Sequence, residues 1–108
     1  MSSSHQIDHE AARSVVRGVL RLESVDSYDL VFGPARAGLT PPQARYTLDV
    51  TGVSLMNSSG IRALANLVLL AKQHGATLII LGSQAVAWQR KTMASLSALY
   101  DRLEIRLA

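Results

Sequence analysis

Hydrophobic positions change their spacing several times along this chain, and each change marks an element. From Ser14 to Glu23, apolar and polar residues alternate. Val16, Leu20 and Leu22 fall with Gly18 on one side, and Val15, Arg17, Val19, Arg21 and Glu23 fall on the other. A period of two predicts a half-buried strand, and the charges on its second face place it near a sheet edge. Residues 24–40 carry Tyr28, Leu30, Val31 and Phe32, interrupted by Gly33-Pro34 and Gly38, and read equally as a short strand or a short helix. Pro41-Pro42 block regular structure. Tyr46, Leu48 and Val50 then predict a strand over residues 45–50, followed by a polar turn. From Ser59 to His74, Ile61, Leu64, Val68 and Ala71 recur at helical steps, and Gly75 stands where a helix stops. The run Thr77–Leu81 has no polar alternation, which predicts a strand buried on both faces in the middle of a largely parallel sheet. Residues 84–100 predict a helix with Val86, Met93, Leu96 and Tyr100 as its core stripe, and Leu103–Leu107 close the chain as a last strand.

Strand–helix–strand–helix–strand order points to an α/β fold with right-handed crossovers: one small domain whose four- to five-stranded, mostly parallel sheet is flanked by helices. A length of 108 residues fits one domain, with residues 1–12 as a flexible N-terminal arm and 13–108 as the folded unit. Hydrophobic residues make up 48% and charged residues 18%, enough apolar material for a core and too little charge for a disordered chain. There is no cysteine, so neither a disulfide framework nor a thiolate metal site is expected. The apolar runs are far shorter than the ~20 residues a bilayer span requires, and the N-terminus lacks a signal-peptide core. A cytoplasmic protein with no membrane insertion is expected.

Net charge is +3 and the pI is 9.8, which raises the question of nucleic acid. The pattern argues against it. The eleven basic residues are dispersed, only Arg90-Lys91 are adjacent, and five aromatic residues are too few for a stacking platform. His5, His9 and His74 lack ligand spacing on a common helix face, although His5, Asp8 and His9 could meet one turn apart in the arm. No glycine-rich phosphate loop, paired carboxylates or nucleophile–base pair is present. No catalytic residue, metal or cofactor is therefore expected, and enzyme is the least favoured class.

The chemistry that remains is Asn57-Ser58-Ser59-Gly60, at the start of the first long helix. A helix start exposes unpaired N–H groups and partial positive charge, so it tolerates a phosphate. The serines there are simple caps or a regulatory switch; spacing alone leaves both open. Beyond them, Ile61, Leu64, Val68 and Ala71 face the core, whereas Arg62, Asn66, Leu69 and Gln73 face away. Leu69 is an apolar side chain on the outer face, and with Arg62 and Asn66 it forms a candidate contact patch for a partner.

The run Leu48-Asp49-Val50-Thr51-Gly52-Val53, followed by Met56-Asn57-Ser58-Ser59-Gly60-Ile61, resembles the signature of STAS domains of the anti-sigma factor antagonist type. Gly75–Gly82 resembles that family's next strand, and Leu99–Ile105 its last helical turn and final strand. The similarity covers residues 45–108. It implies a non-catalytic module whose first serine, here Ser58 before Ser59, accepts phosphate from a serine kinase that is also the anti-sigma factor. A metal-dependent phosphatase removes it. The resemblance also implies that Asp49, Asn57, Ser59 and Gly60 surround the phosphosite. Where the family usually has Asp before the serines, this chain has Asn57, an equally good helix cap without the charge. Two other readings stay open: a STAS subunit bound constitutively in a transporter or other complex, and a small-ligand or nucleotide sensor.

Overall fold

The computed structural model describes residues 4–10 and 12–108. Strand β1 (Ser4–Glu10) runs antiparallel to β2 (Arg13–Leu20). A single 3-10 turn, Asp26–Tyr28, leads into α1 (Asp29–Gly38). Then come β3 (Arg45–Met56), α2 (Ser58–His74), β4 (Thr77–Gly82), α3 (Ala87–Ser97) and β5 (Leu103–Leu107). The five strands lie in the sheet in chain order, with β2 through β5 parallel. Every parallel crossover therefore steps the same way. Right-handed crossovers that all step one way put their helices on one face of the sheet.

Burial follows from this one-sidedness. Val16, Tyr46, Leu48, Val50, Leu78 and Ile80 point under the helices and are fully or almost fully buried. They pack with Val31, Phe32, Leu64, Leu67, Val68 and Met93 from the three helices. The opposite face carries Arg13, Arg45, Thr47, Asp49, Glu104 and Arg106 between its few apolar side chains. Arg13 pairs with Asp49 at 3.5 Å, and Glu104 takes Arg106 at 3.1 Å and Arg45 at 3.9 Å. Ile79 lies on that face between Thr47 and Glu104, yet it is only 5% exposed. Long charged side chains thus stand in for a second helical layer.

Three expectations need correction. Residues 1–12, expected as a flexible arm, contain β1, which takes the sheet edge and moves β2 one place inward; residues 1–3 and 11 lie outside the described residues. Ile7 is the one apolar residue of β1 and packs on the core, too little to produce a readable alternation. The middle strand is β3, with β4 one place outward. Finally, the expected polar turn after Val50 is strand: β3 runs on to Met56. Its pairing with β2 shifts register between Val15 and Arg17 and again between Gly18 and Val19. These bulges place extra residues in β3 and stretch its inward spacing from two to three, so that Val50, Val53 and Met56 are all buried. Gly18, at φ 104°, supplies the backbone shape in β2 that the second bulge needs. The ambiguous segment 24–40 is the 3-10 turn and α1, with Tyr28 stacked on Phe32 at 5.9 Å.

The extra length of β3 creates a polar problem. β4 pairs with β3 only as far as Asp49, so the backbone beyond has no strand on that side. Helix α3 satisfies it. Buried Gln89 donates through Nε2 to the carbonyls of Val50 (2.8 Å) and Val53 (3.0 Å), and its Oε1 accepts from the Ser83 N–H at 2.8 Å. Trp88 Nε1 donates to the same Val53 carbonyl at 3.0 Å. A Cβ on Gly82 would stand 2.7 Å from Gln89 Oε1, so glycine there leaves room for the amide. Replacing Gln89 by Leu keeps the volume but strands the Val50 carbonyl and the Ser83 N–H. Gln89→Leu is expected to cost roughly 2–4 kcal/mol in urea denaturation followed by Trp88 fluorescence, against under about 0.5 kcal/mol for the exposed Gln84→Leu.

Candidate functional site

Helix α2 starts where β3 ends, and Asn57 is the residue between them. Its backbone is extended, and its side-chain Oδ1 accepts from the Gly60 N–H at 3.0 Å, which caps the helix. The same Oδ1 accepts from the Tyr28 hydroxyl at 2.6 Å. Nδ2 donates to the Leu22 carbonyl at 2.8 Å, and the backbone N–H of Asn57 donates to Leu20 at 3.0 Å. Tyr28 completes the loop by accepting from the Leu22 N–H at 3.3 Å. Oδ1 meets two donors and Nδ2 meets a carbonyl, so only one orientation of the amide fits. Burial raises the Tyr28 phenol above its ordinary pKa, and the Leu22 hydrogen bond offsets this in part. Tyr28 therefore stays a neutral donor at physiological pH.

Gly60 belongs to the same arrangement. A Cβ there would stand 2.5 Å from Met56 Cγ and 2.7 Å from the Tyr28 hydroxyl. The glycine of the Ser-Ser-Gly sequence is thus the space into which Tyr28 fits. At the far end, Gly75 adopts the left-handed conformation at φ 66° and closes the helix.

Ser58 is the first residue of α2 and is exposed; Ser59 beside it is half-buried. Neither hydroxyl hydrogen-bonds to any described residue. The cap is therefore made by Asn57, and the serines are left free of the capping role that their position suggests. The first turn of α2 contains no acidic residue. Arg62, Asn66 and Leu69 are exposed on the outer side of α2, with Leu69 at 45%. At about 100° per residue, Ser58, Arg62, Ala65 and Leu69 form one stripe along the helix.

The structure does not bring Asp49 to the serines. It sits in mid-strand, on the face of the sheet away from the helices, roughly 20 Å or more along β3 from its end. There it accepts from the Thr51 N–H (3.0 Å) and hydroxyl (2.7 Å) and pairs with Arg13. The odd-numbered residues of this part of β3 face away from α2, which is the physical reason. Two contributors were not singled out from sequence. Tyr28 holds Asn57 across 29 positions of sequence, a separation that periodicity does not reveal. Leu30, 84% exposed at the start of α1, lies two residues from that contact and so at the same end of the molecule as Ser58. The side chains of His5, Asp8 and His9 lie outside the described residues. Among the described residues no group of three His, Asp or Glu side chains could hold a metal ion, and no helix is long and apolar enough to cross a membrane.

The model of the STAS domain family matches residues 2–104, and the chain belongs to that family. Among solved structures, the chain is similar to the SiaC chain in the crystal structure of the diguanylate cyclase SiaD in complex with its activator SiaC, from Pseudomonas aeruginosa. The TM-score is 0.72 at 15% identity, over 100% of this chain and 95% of that one. At that identity the likeness is one of fold. No curated protein matches the sequence.

The family usually has Asp where this chain has Asn57, and the geometry gives a reason for the amide. A carboxylate could still accept from Gly60 and Tyr28, but its second oxygen would face the Leu22 carbonyl without a proton between them. Asn57→Asp is expected to destabilise the domain by about 1–3 kcal/mol, and Asn57→Ala, which also loses the cap, by at least as much. Urea denaturation of the three chains checks this; an Asn57→Asp chain as stable as the parent would show that the Leu22 bond contributes nothing.

Proposed function

We propose that this protein is a non-catalytic regulatory module that binds a partner protein through the outer face of α2 and is switched by phosphorylation of Ser58. The observation that carries the reading is the free, exposed Ser58 hydroxyl at a helix start already capped by Asn57. The resemblance of the Asn57-Ser58-Ser59-Gly60 region to anti-sigma factor antagonists supports, as the partner class, a serine kinase that also acts as an anti-sigma factor, opposed by a metal-dependent phosphatase. In the transfer, Ser58 Oγ bonds to the γ-phosphorus of a nucleoside triphosphate held by the kinase. The bond from that phosphorus to the β–γ bridging oxygen breaks, the diphosphate leaves, and the hydroxyl proton passes to a base on the kinase. The product carries roughly −1.5 to −2 charge on a surface that must shed water to dock. Because the hydroxyl makes no bond within the domain, adding the phosphoryl group breaks none, and the fold persists in both states.

A second reading keeps the surface and drops the switch: constitutive binding to a partner enzyme. It is favoured by the SiaC likeness, since SiaC is an activator in complex with a diguanylate cyclase. Mass spectrometry of the protein isolated from its own cells separates the two, by the presence or absence of phosphate on Ser58.

Substitutions divide along the helix. Ser58→Asp is expected to melt within about 0.5 kcal/mol of the parent but to bind the partner kinase less well than Ser58→Ala does. Equal binding by both would leave the serine without a regulatory role. Leu69→Glu is expected to leave stability nearly unchanged and to weaken partner binding by about 1–2 kcal/mol. Leu64→Ala, on the buried side, is expected to cost roughly 2–5 kcal/mol of stability through a cavity. Calorimetric titration and thermal melts of the same chains check both.

A further inference from the structure

Two serines open α2, and the residues one turn further on distinguish them. Ser58 is followed at four residues by Arg62, and Ser59 by Ala63. Residues four apart on a helix lie on one face, and helical side chains lean toward the N-terminus, so the side chain at 62 covers the surface over 58. Arg62 is exposed and makes no hydrogen bond or ion pair with any described residue. The first turn of α2 holds no acid that would compete with a phosphate for this arginine. Ser59 stands three residues before Arg62, also a neighbouring spacing on a helix, but its own residue four further on, Ala63, is 1% exposed and faces the core, and Ser59 is itself half-buried.

We propose that Arg62 is the cation that receives the phosphate of this switch. Once Ser58 is phosphorylated, the Arg62 guanidinium pairs with the phosphate within the helix. In the unmodified protein the same guanidinium is presented outward, where the partner it fits carries a carboxylate. Phosphorylation then acts twice at one spot: it adds negative charge at 58, and it withdraws the positive charge at 62 that the partner's carboxylate had met. Release needs no change of fold, only the turning of one long side chain. This inference rests on the reading of Ser58 as phosphoacceptor and adds the residue through which the modification acts.

The test uses the full chain with phosphoserine incorporated during translation at position 58, or separately at position 59, each with Arg62 and with Arg62→Gln. Phosphorus NMR titration reads the second pKa of the phosphate, about 6 when unperturbed. At position 58 and low salt it is expected to be about 0.3 lower with Arg62 than with Arg62→Gln, the value that an i, i+4 ion pair converts to. Arg62→Lys should keep most of that difference, about 1 M salt should remove it, and position 59, three residues from 62 and half-buried, should show a smaller dependence on residue 62. A titration at 58 that is the same with and without Arg62 overturns the proposal, as does a phosphoserine-58 chain that has lost its helical circular dichroism. The incorporated phosphoserine makes the readout independent of any kinase. A native protein that never carries phosphate on Ser58 therefore overturns the reading above, whereas a titration indifferent to Arg62 overturns this one.

Discussion

All the hydrogen-bonding atoms of the Asn57 N–H and side chain are engaged with separate parts of the chain. The N–H holds the carbonyl at the end of β2, Oδ1 holds the first turn of α2 and the Tyr28 hydroxyl, and Nδ2 holds the loop after β2. These contacts join the end of one strand, the start of the longest helix and the entry to α1. Buried polar networks are costly when partly satisfied and specify one arrangement when fully satisfied. This one is fully satisfied, and no buried side-chain nitrogen or oxygen among the described residues lacks a partner. The position of Ser58 follows from it. The serine is presented on a rigid mount whose stability does not involve its own hydroxyl.

This separation of tasks suits a switch. A residue that both capped the helix and carried the modification would tie folding to signalling, because each phosphorylation would break a cap worth about 1 kcal/mol. Here the cap, the glycine gap and the tyrosine are structural, and the serine one step further on is free to change. The chain's departure from the family's usual acid belongs to the same division. An amide can donate to Leu22 as well as accept from Gly60, so the joint is closed without charge, and the first turn remains free of carboxylates.

What the sequence made legible follows the regularity of the pattern. Helix α2 and its boundaries were readable because its apolar residues hold a steady helical step between Asn57 and Gly75. The last strand was readable because Leu103, Ile105 and Leu107 alternate. Periodicity failed where the structure itself abandons a period. β3 carries bulges that change its inward spacing, so its second half looked like a turn. β1 has a single apolar residue to bury and is held by pairing along an edge, which leaves almost no trace in composition. Helix α1 contains Gly33 and Pro34, both of which argue locally against helix; Val31, Phe32 and Ala35, buried against the core, outweigh them. At the site, the cap and the outward stripe of α2 were visible from local spacing. The Tyr28 contact was not, and Asp49 was expected at the site only from the family resemblance, whereas the pleat turns it to the other face.

A sheet whose strand order equals its chain order also shapes how the molecule is built. Each strand from β2 onward pairs with the strand just before it, so no place in the sheet has to be kept open for a segment that arrives later. The loops closed at each step are single crossovers, and the entropy of closing them rises only slowly with length. The chain can therefore add one strand–helix unit after another onto a growing layer, much as a solenoid does. Among the contacts that break this sequence are those from Gln89 and Trp88 back to β3, spanning 35 to 39 residues. They tie a later unit to an earlier one across the unpaired half of β3. A ladder of local steps is thereby closed into a single cooperative body, with the last unit bracing the strand from which the serine-bearing helix departs.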